Sequence, residues 1–212
     1  MKIIAHRCGT DKYPGLTRRA ALHSLALGAD VIEMDVRYTH DLRPVICHDR
    51  DKLALYPGAH SLEEMLRGVP GPILLHIKEG GERMPVLLCS IREHAREHDI
   101  ILGVTRADDI NQVKRFNPAI AVLAFMPSLE SAQEFAEHGA DYIRLWEQWA
   151  SEDAIREVQS LGKPVWIMAR GRRGGGYTSK KNLLLWQRLG IDGVLVNDVK
   201  KTVSILQKEI NP

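Results

Sequence analysis

Apolar residues recur along the chain in short runs, each followed by a longer stretch with helical spacing. Runs near residues 2–6, 30–36, 72–78, 99–104, 120–126, 141–146, 164–169 and 193–197 predict eight strands. Amphipathic patterns between them predict helices over 17–28, 84–98, 128–138, 151–161, 180–189 and 199–208. Strands alternating with helices imply a parallel sheet with right-handed crossovers.

A weak internal repeat supports this. Leu27-Gly28-Ala29-Asp30 precedes Val31-Ile32, His138-Gly139-Ala140-Asp141 precedes Tyr142-Ile143, and Leu189-Gly190-Ile191-Asp192 precedes Gly193-Val194-Leu195. Leu161-Gly162-Lys163-Pro164, ahead of Val165-Trp166-Ile167, is a fourth variation. Each reads as a helix ended by a left-handed glycine and followed at once by a buried strand. Eight such units give an α/β chain that closes into a (β/α)8 barrel, with a doubly wound open sheet as the alternative. Such barrels typically need about 250 residues. The 212 residues present therefore predict one domain over 1–212.

Composition narrows the function. The 29 basic residues nearly balance 27 acidic ones, without long blocks of one sign, so neither a nucleic-acid groove nor a basic membrane helix is expected. No apolar run approaches the roughly 18 residues of a membrane span. His6 and Arg7 follow the first strand at once, which leaves no room for a signal peptide, and the expected location is the cytoplasm. Three cysteines (Cys8, Cys47, Cys89) are too few for a disulfide framework. A labile bridge between Cys8 and Cys47 stays open, and Cys89 is expected in the core of its helix.

In Asp30-Val31-Ile32-Glu33-Met34-Asp35-Val36 the side chains alternate faces. With Ile32, Met34 and Val36 packed outward, Glu33 and Asp35 share the barrel interior. Two enclosed carboxylates need a cation or a proton; a solvated position paired to Arg or Lys is the other reading. His76 and Lys78 share the inward face of the third strand by the same rule. His6 and Arg7 close the first strand, and His48 ends the short extended run Pro44-Val45-Ile46-Cys47-His48. All fall at the C-terminal strand ends, where barrel active sites sit. Two histidines flanking a metal-bound phosphate suit general acid–base catalysis, with Arg7 and Lys78 balancing the phosphate charge.

Ile4-Ala5-His6-Arg7, Gly28 to Val36, Thr39-x-Asp41 and Val45-x-x-His48-Asp49 resemble the glycerophosphodiester phosphodiesterases in order and spacing, and Leu62-Glu63-Glu64-Met65-Leu66 and Gly190-Ile191-Asp192-Gly193-Val194 extend the resemblance. It implies a barrel of the phospholipase-C-like phosphodiesterase type that cleaves a small-molecule glycerophosphodiester-like substrate to an alcohol and a phosphomonoester. It further implies His6 and His48 as the acid–base pair, and Glu33 and Asp35 as ligands of a divalent cation, usually magnesium or calcium. A lyase of the sphingomyelinase D type, releasing a cyclic phosphate, and a non-catalytic phosphoester-binding barrel are the alternatives.

The departures are specific. Cys8 is inserted between Arg7 and Gly9, and Gly15 stands where the family carries a glutamate. His76 replaces the third metal carboxylate, which brings manganese or zinc into range, unless Glu79 supplies the missing acid. Only Arg50 to Ser61 bridges an interval where relatives carry an insertion. Met168 or Ala169 falls where the family has an asparagine. Arg144, Trp146, Arg170 and Arg172 are candidate substrate contacts. A salt bridge inside the barrel is the other reading for Arg144, and a flexible solvated loop for the glycine-rich run Arg170 to Tyr177. His94 and His98 are read as part of a solvated helix face.

Overall fold

The computed structural model describes residues 1–52, 60–95 and 99–207. Its strands are β1 (Lys2–Ala5), β2 (Val31–Tyr38), β3 (Pro44–Ile46), β4 (Ile73–Ile77), β5 (Ile100–Val104), β6 (Ala121–Ala124), β7 (Tyr142–Trp146), β8 (Val165–Met168), β9 (Arg170–Gly171), β10 (Gly174–Gly175) and β11 (Gly193–Val196). Its helices are α1 (Arg18–Ala26), α2 (Leu62–Gly68), α3 (Met84–His94), α4 (Ala107–Phe116), α5 (Ala132–Glu137), α6 (Glu152–Ser160), α7 (Lys180–Arg188) and α8 (Val199–Gln207).

The parallel order is β1-β11-β8-β7-β6-β5-β4-β2, and β1 also pairs with β2 through Ile4↔Val31 and Ala5↔Ile32. The sheet is thus a closed eight-stranded barrel, not the open alternative. Closure removes both sheet edges, which an open sheet would have to protect. β2 outruns β1, and its far end, Val36 to Tyr38, pairs antiparallel with β3 on the side that β1 leaves. That pairing carries His48 to the mouth.

Alternation separates two cores. Ile4, Val31, Leu74, Ile101, Leu123, Trp166 and Leu195 fill the lower barrel. Ile32, Met34, Val36, Leu75 and Ile143 face outward and pack against the helices. The polar inward positions lie above the filled layer.

The repeat has a structural explanation. Gly28, Gly139, Gly162 and Gly190 all carry positive φ at helix C-termini, as a left-handed cap requires. The aspartates that follow three of them clamp the bottom of the barrel. Asp30 Oδ2 accepts from the backbone N–H of Ile3 (2.7 Å), Asp141 Oδ2 from Val122 (2.7 Å) and Asp192 Oδ2 from Val165 (2.8 Å). Each carboxylate satisfies a donor at the start of the neighbouring strand.

One expectation changes, and one helix is added. Helix α4 did not stand out in the apolar pattern because Ile110, Val113 and Phe116 are separated by polar residues. Cys89 is exposed, because α3 buries Met84, Leu87, Leu88 and Ile91 and Cys89 falls on another face. All three cysteines are free thiols. His94 meets Glu63 and Glu93 on the helical surface; His98 lies outside the described residues, as does much of the short 50–61 bridge.

Candidate active site

Glu33 and Asp35 project inward from β2 and are 0% and 1% exposed. His76, opposite Asp35 in the register of β4, places Nδ1 3.1 Å from Asp35 Oδ1 and 3.8 Å from Glu33 Oε1. Lys78 Nζ lies 2.8 Å from Asp35 Oδ1 and 3.0 Å from His76 Nδ1. Nδ1 thus faces an ammonium and a carboxylate: with its lone pair it accepts from Lys78, and with a proton it donates to Asp35. The alternation reading is therefore correct for all four residues. Solvated carboxylates, the other reading, are excluded by their burial.

The electrostatics follow from enclosure. Burial, and then the charge of Asp35, pushes the Glu33 carboxyl up to about 8. Burial alone would raise Asp35 too, but hydrogen bonding to His76 and the charge of Lys78 outweigh it and hold that carboxyl below its usual range. Burial lowers His76 to about 4, so its imidazole is neutral near neutral pH.

The chain after β1 is contorted to serve this cluster. Arg7 (φ 51°), Cys8 (φ 67°) and Gly9 (φ 76°) are consecutive left-handed residues, a conformation that costs non-glycine residues about 1–3 kcal/mol each. The turn aims the Arg7 N–H at Glu33 Oε2 (2.6 Å) and sets Arg7 Nε 3.4 Å from Asp35 Oδ2. The inserted Cys8 is part of this turn; its carbonyl accepts from the Ser24 hydroxyl at 2.7 Å.

His6 Nδ1 donates to Asn197 Oδ1 at 2.8 Å, and the Asn197 amide is oriented in turn by donating from Nδ2 to Gly175 O at 2.9 Å. An amide oxygen only accepts, so the Nε2 of His6 carries the free lone pair. Burial, opposed by the Asn197 bond, lowers His6 to about 4. Asn197 was absent from the candidate residues, although it follows Gly193 and Leu195 on the inward face of the last strand. Gly176 makes room for it: a Cβ there would lie 2.2 Å from the Asn197 side chain.

His48 stands at the rim, about one third exposed, with Nδ1 2.5 Å from Asp49 Oδ1. Its carbonyl accepts from Arg37 Nε at 2.7 Å, and the neighbouring Cys47 N–H donates to Asp35 O. It belongs to the mouth without touching the acidic cluster. Glu79 does not supply a third acid, because it pairs with Arg37 and Arg83. The glycine-rich run is a hairpin, β9–β10, and not a free loop. Glu147 anchors it by accepting from Arg170 N (2.6 Å), the Thr178 hydroxyl (2.9 Å) and Asn182 Nδ2 (2.6 Å). Arg170 lies over Trp146, while Arg172 sits exposed at the hairpin tip. Arg144 is buried but, among the described residues, forms no salt bridge; it stacks on Phe125 and Trp146.

Glu33, Asp35 and His76 fit a divalent cation. Each offers one ligand atom, and these atoms all lie within 4.8 Å of one another. Glu33 Oε1 and both Asp35 oxygens are buried without an aligned hydrogen-bond donor, the condition that a cation relieves.

The barrel fold is shared with solved phosphodiesterases. Residues 6–69 match the model of the glycerophosphoryl diester phosphodiesterase family. A phosphodiesterase from Oleispira antarctica, solved in complex with the product sn-glycerol-3-phosphate, is 18% identical, with 98% of this chain and 97% of that one covered at a TM-score of 0.83. A glycerophosphodiester phosphodiesterase from Parabacteroides distasonis gives 17%, 99%, 98% and 0.82 on the same measures. One from Thermotoga maritima gives 17%, 96%, 97% and 0.74. At such identities the likeness establishes the fold. Comparison with curated proteins gives no match.

Proposed function

We propose that this chain hydrolyses a glycerophosphodiester-like substrate to an alcohol and a phosphomonoester, with a divalent cation held by Glu33, Asp35 and His76. The observation that carries the reading is the buried cluster of two carboxylates and one neutral imidazole beside His6. When bound, the cation polarises a phosphoryl oxygen and offsets the carboxylate charge. Two carboxylates suit magnesium or calcium, and the imidazole extends the range to manganese and zinc.

The protein's own groups do the rest. His6, neutral and held by Asn197, removes the proton of the attacking water through Nε2. His48, oriented by Asp49 at the rim, protonates the departing alkoxide. Arg7 and Lys78 hold the non-bridging phosphate oxygens, with the Arg7 fork matched to two of them. The sister structure bound to sn-glycerol-3-phosphate supports a glycerol-containing substrate.

The test is phosphorus NMR of purified protein with glycerophosphocholine, in chelator and after adding back magnesium, calcium, manganese or zinc in turn. Cleavage that stops in chelator and returns with metal, with a phosphomonoester as first product, is expected. A cyclic phosphate as lasting product would replace hydrolysis with the lyase reading. Undiminished cleavage in chelator would remove the cation from the account.

A further inference from the structure

Arg144 is a buried charge that the proposed reaction does not use. It projects inward from β7, is 3% exposed, and leaves Nε and Nη1 without a hydrogen-bond partner. Its guanidinium carbon lies 4.1 Å from the Trp146 ring centroid and 4.8 Å from that of Phe125. Trp166, its register partner on β8, adds a buried indole N–H that is also without an acceptor. Aromatic faces stabilise a guanidinium but accept none of its in-plane hydrogen bonds. Buried donors that the protein itself leaves unmet are costly and favour any acceptor that can reach them. Burial draws the guanidinium down only to about 9, which leaves it charged near neutral pH.

This group adjoins the proposed catalytic cluster. The Phe125 ring that it touches stacks on His76, with centroids 3.9 Å apart. Gly103 makes that stack possible, since a Cβ there would lie 2.5 Å from Phe125. Towards the mouth, Arg170 approaches the same Trp146 at 5.1 Å. Two arginines therefore share one indole, one inside the barrel and one at its rim. Arg7 and Lys78 already meet the charge of a phosphodiester, so Arg144 and Arg170 form a cationic surplus.

We propose that Arg144 and Arg170, bridged by Trp146, form a second anion subsite, and that the preferred substrate is a phosphodiester whose esterified alcohol carries an additional phosphate. The inference rests on the phosphodiesterase reading and specifies its substrate class. A guanidinium fork matches a phosphate bidentately, and the aromatic walls exclude the water that would weaken the pair.

Glycerophosphoinositol and glycerophosphoinositol 4-phosphate differ by one phosphate and test the proposal. With wild-type protein and metal, kcat/KM is expected to favour the 4-phosphate at least tenfold, and Arg144→Met should bring the two within about twofold. Calorimetric titration of His6→Ala with the same compounds reads binding without turnover and should show the same preference. Absence of turnover with preferential binding would therefore count against the hydrolase reading and in favour of the subsite. The melting midpoint of Arg144→Met should be equal to or above that of the wild type, since the variant removes an unpaired buried charge. Equal binding of the two compounds, or a preference that persists in Arg144→Met, would overturn the proposal. Should Arg144→Met fail to fold, Arg144→Gln is read in the same way, and failure of both to fold would assign Arg144 to packing and overturn it too.

Discussion

Asn197 decides which nitrogen of His6 carries the proton, and through it the chemistry available at the mouth. The residue pattern alone located Glu33, Asp35, His76 and Lys78, because strand alternation assigns a face to each side chain. Asn197 obeys the same rule, but an amide has no acid–base chemistry of its own, and its role appears only beside His6, 191 positions earlier in the chain. The fate of Arg144 was equally hidden: a missing partner is a property of the assembled barrel. Two outcomes belong to this scale. His6 takes its proton near 6.5 when unfolded and near 4 when folded. Its contribution to stability is therefore complete above pH 6.5 and is lost as pH falls towards 4, by about 3 kcal/mol at most. Urea midpoints at pH 7 and pH 4.5 should separate less in His6→Gln than in wild type; an unchanged separation would contradict the assigned shift. Burial also raises the Cys8 thiol far above its usual range. Since the thiolate is the reactive form, iodoacetamide at pH 8 should label exposed Cys89 and spare Cys8 in the native protein. Mass spectrometry of the labelled chain decides the point, and rapid loss of Cys8 would show that its enclosure is wrong.

Elements announced themselves by their ends more than by their middles. The recurring Gly-x-Asp junctions marked where helices stop and strands start, and the aspartates clamp the neighbouring strand starts. Helix α4 went unseen because three apolar residues among polar ones make a thin stripe. The β9–β10 hairpin went unseen because its order comes from Glu147, which lies in a different part of the chain. Asp192→Ala should lose the charge-assisted bond to the Val165 N–H and destabilise the fold by about 2 kcal/mol. Its kcat should stay near that of wild type, because the clamp lies at the opposite end of the barrel from the histidines. A large fall in kcat with unchanged stability would reverse this assignment.

The whole molecule closes by joining β1 to both β2 and β11, so its first and last strands depend on each other. Count and alternation of strands foretold the barrel; closure itself, a pairing between distant segments, left no local trace. A ring of this kind should lose its parts together. Trp166 reports the barrel interior and Trp186 the helical shell. Unfolding followed by tryptophan fluorescence and by far-ultraviolet circular dichroism should therefore give coincident curves, and separated transitions would show that the halves are independent. At this scale the mouth brings together a buried cluster of two carboxylates and a histidine, an oriented neutral imidazole and two arginines over one indole.

The most direct measurement is the initial rate of glycerophosphodiester cleavage by wild-type protein and His6→Ala, each saturated with the metal that supports turnover best. General-base assistance is worth about two to four orders of magnitude, so the variant should be at least about a hundredfold slower while remaining folded. A His6→Ala protein that cleaves the diester at near wild-type rate would contradict the account at its centre.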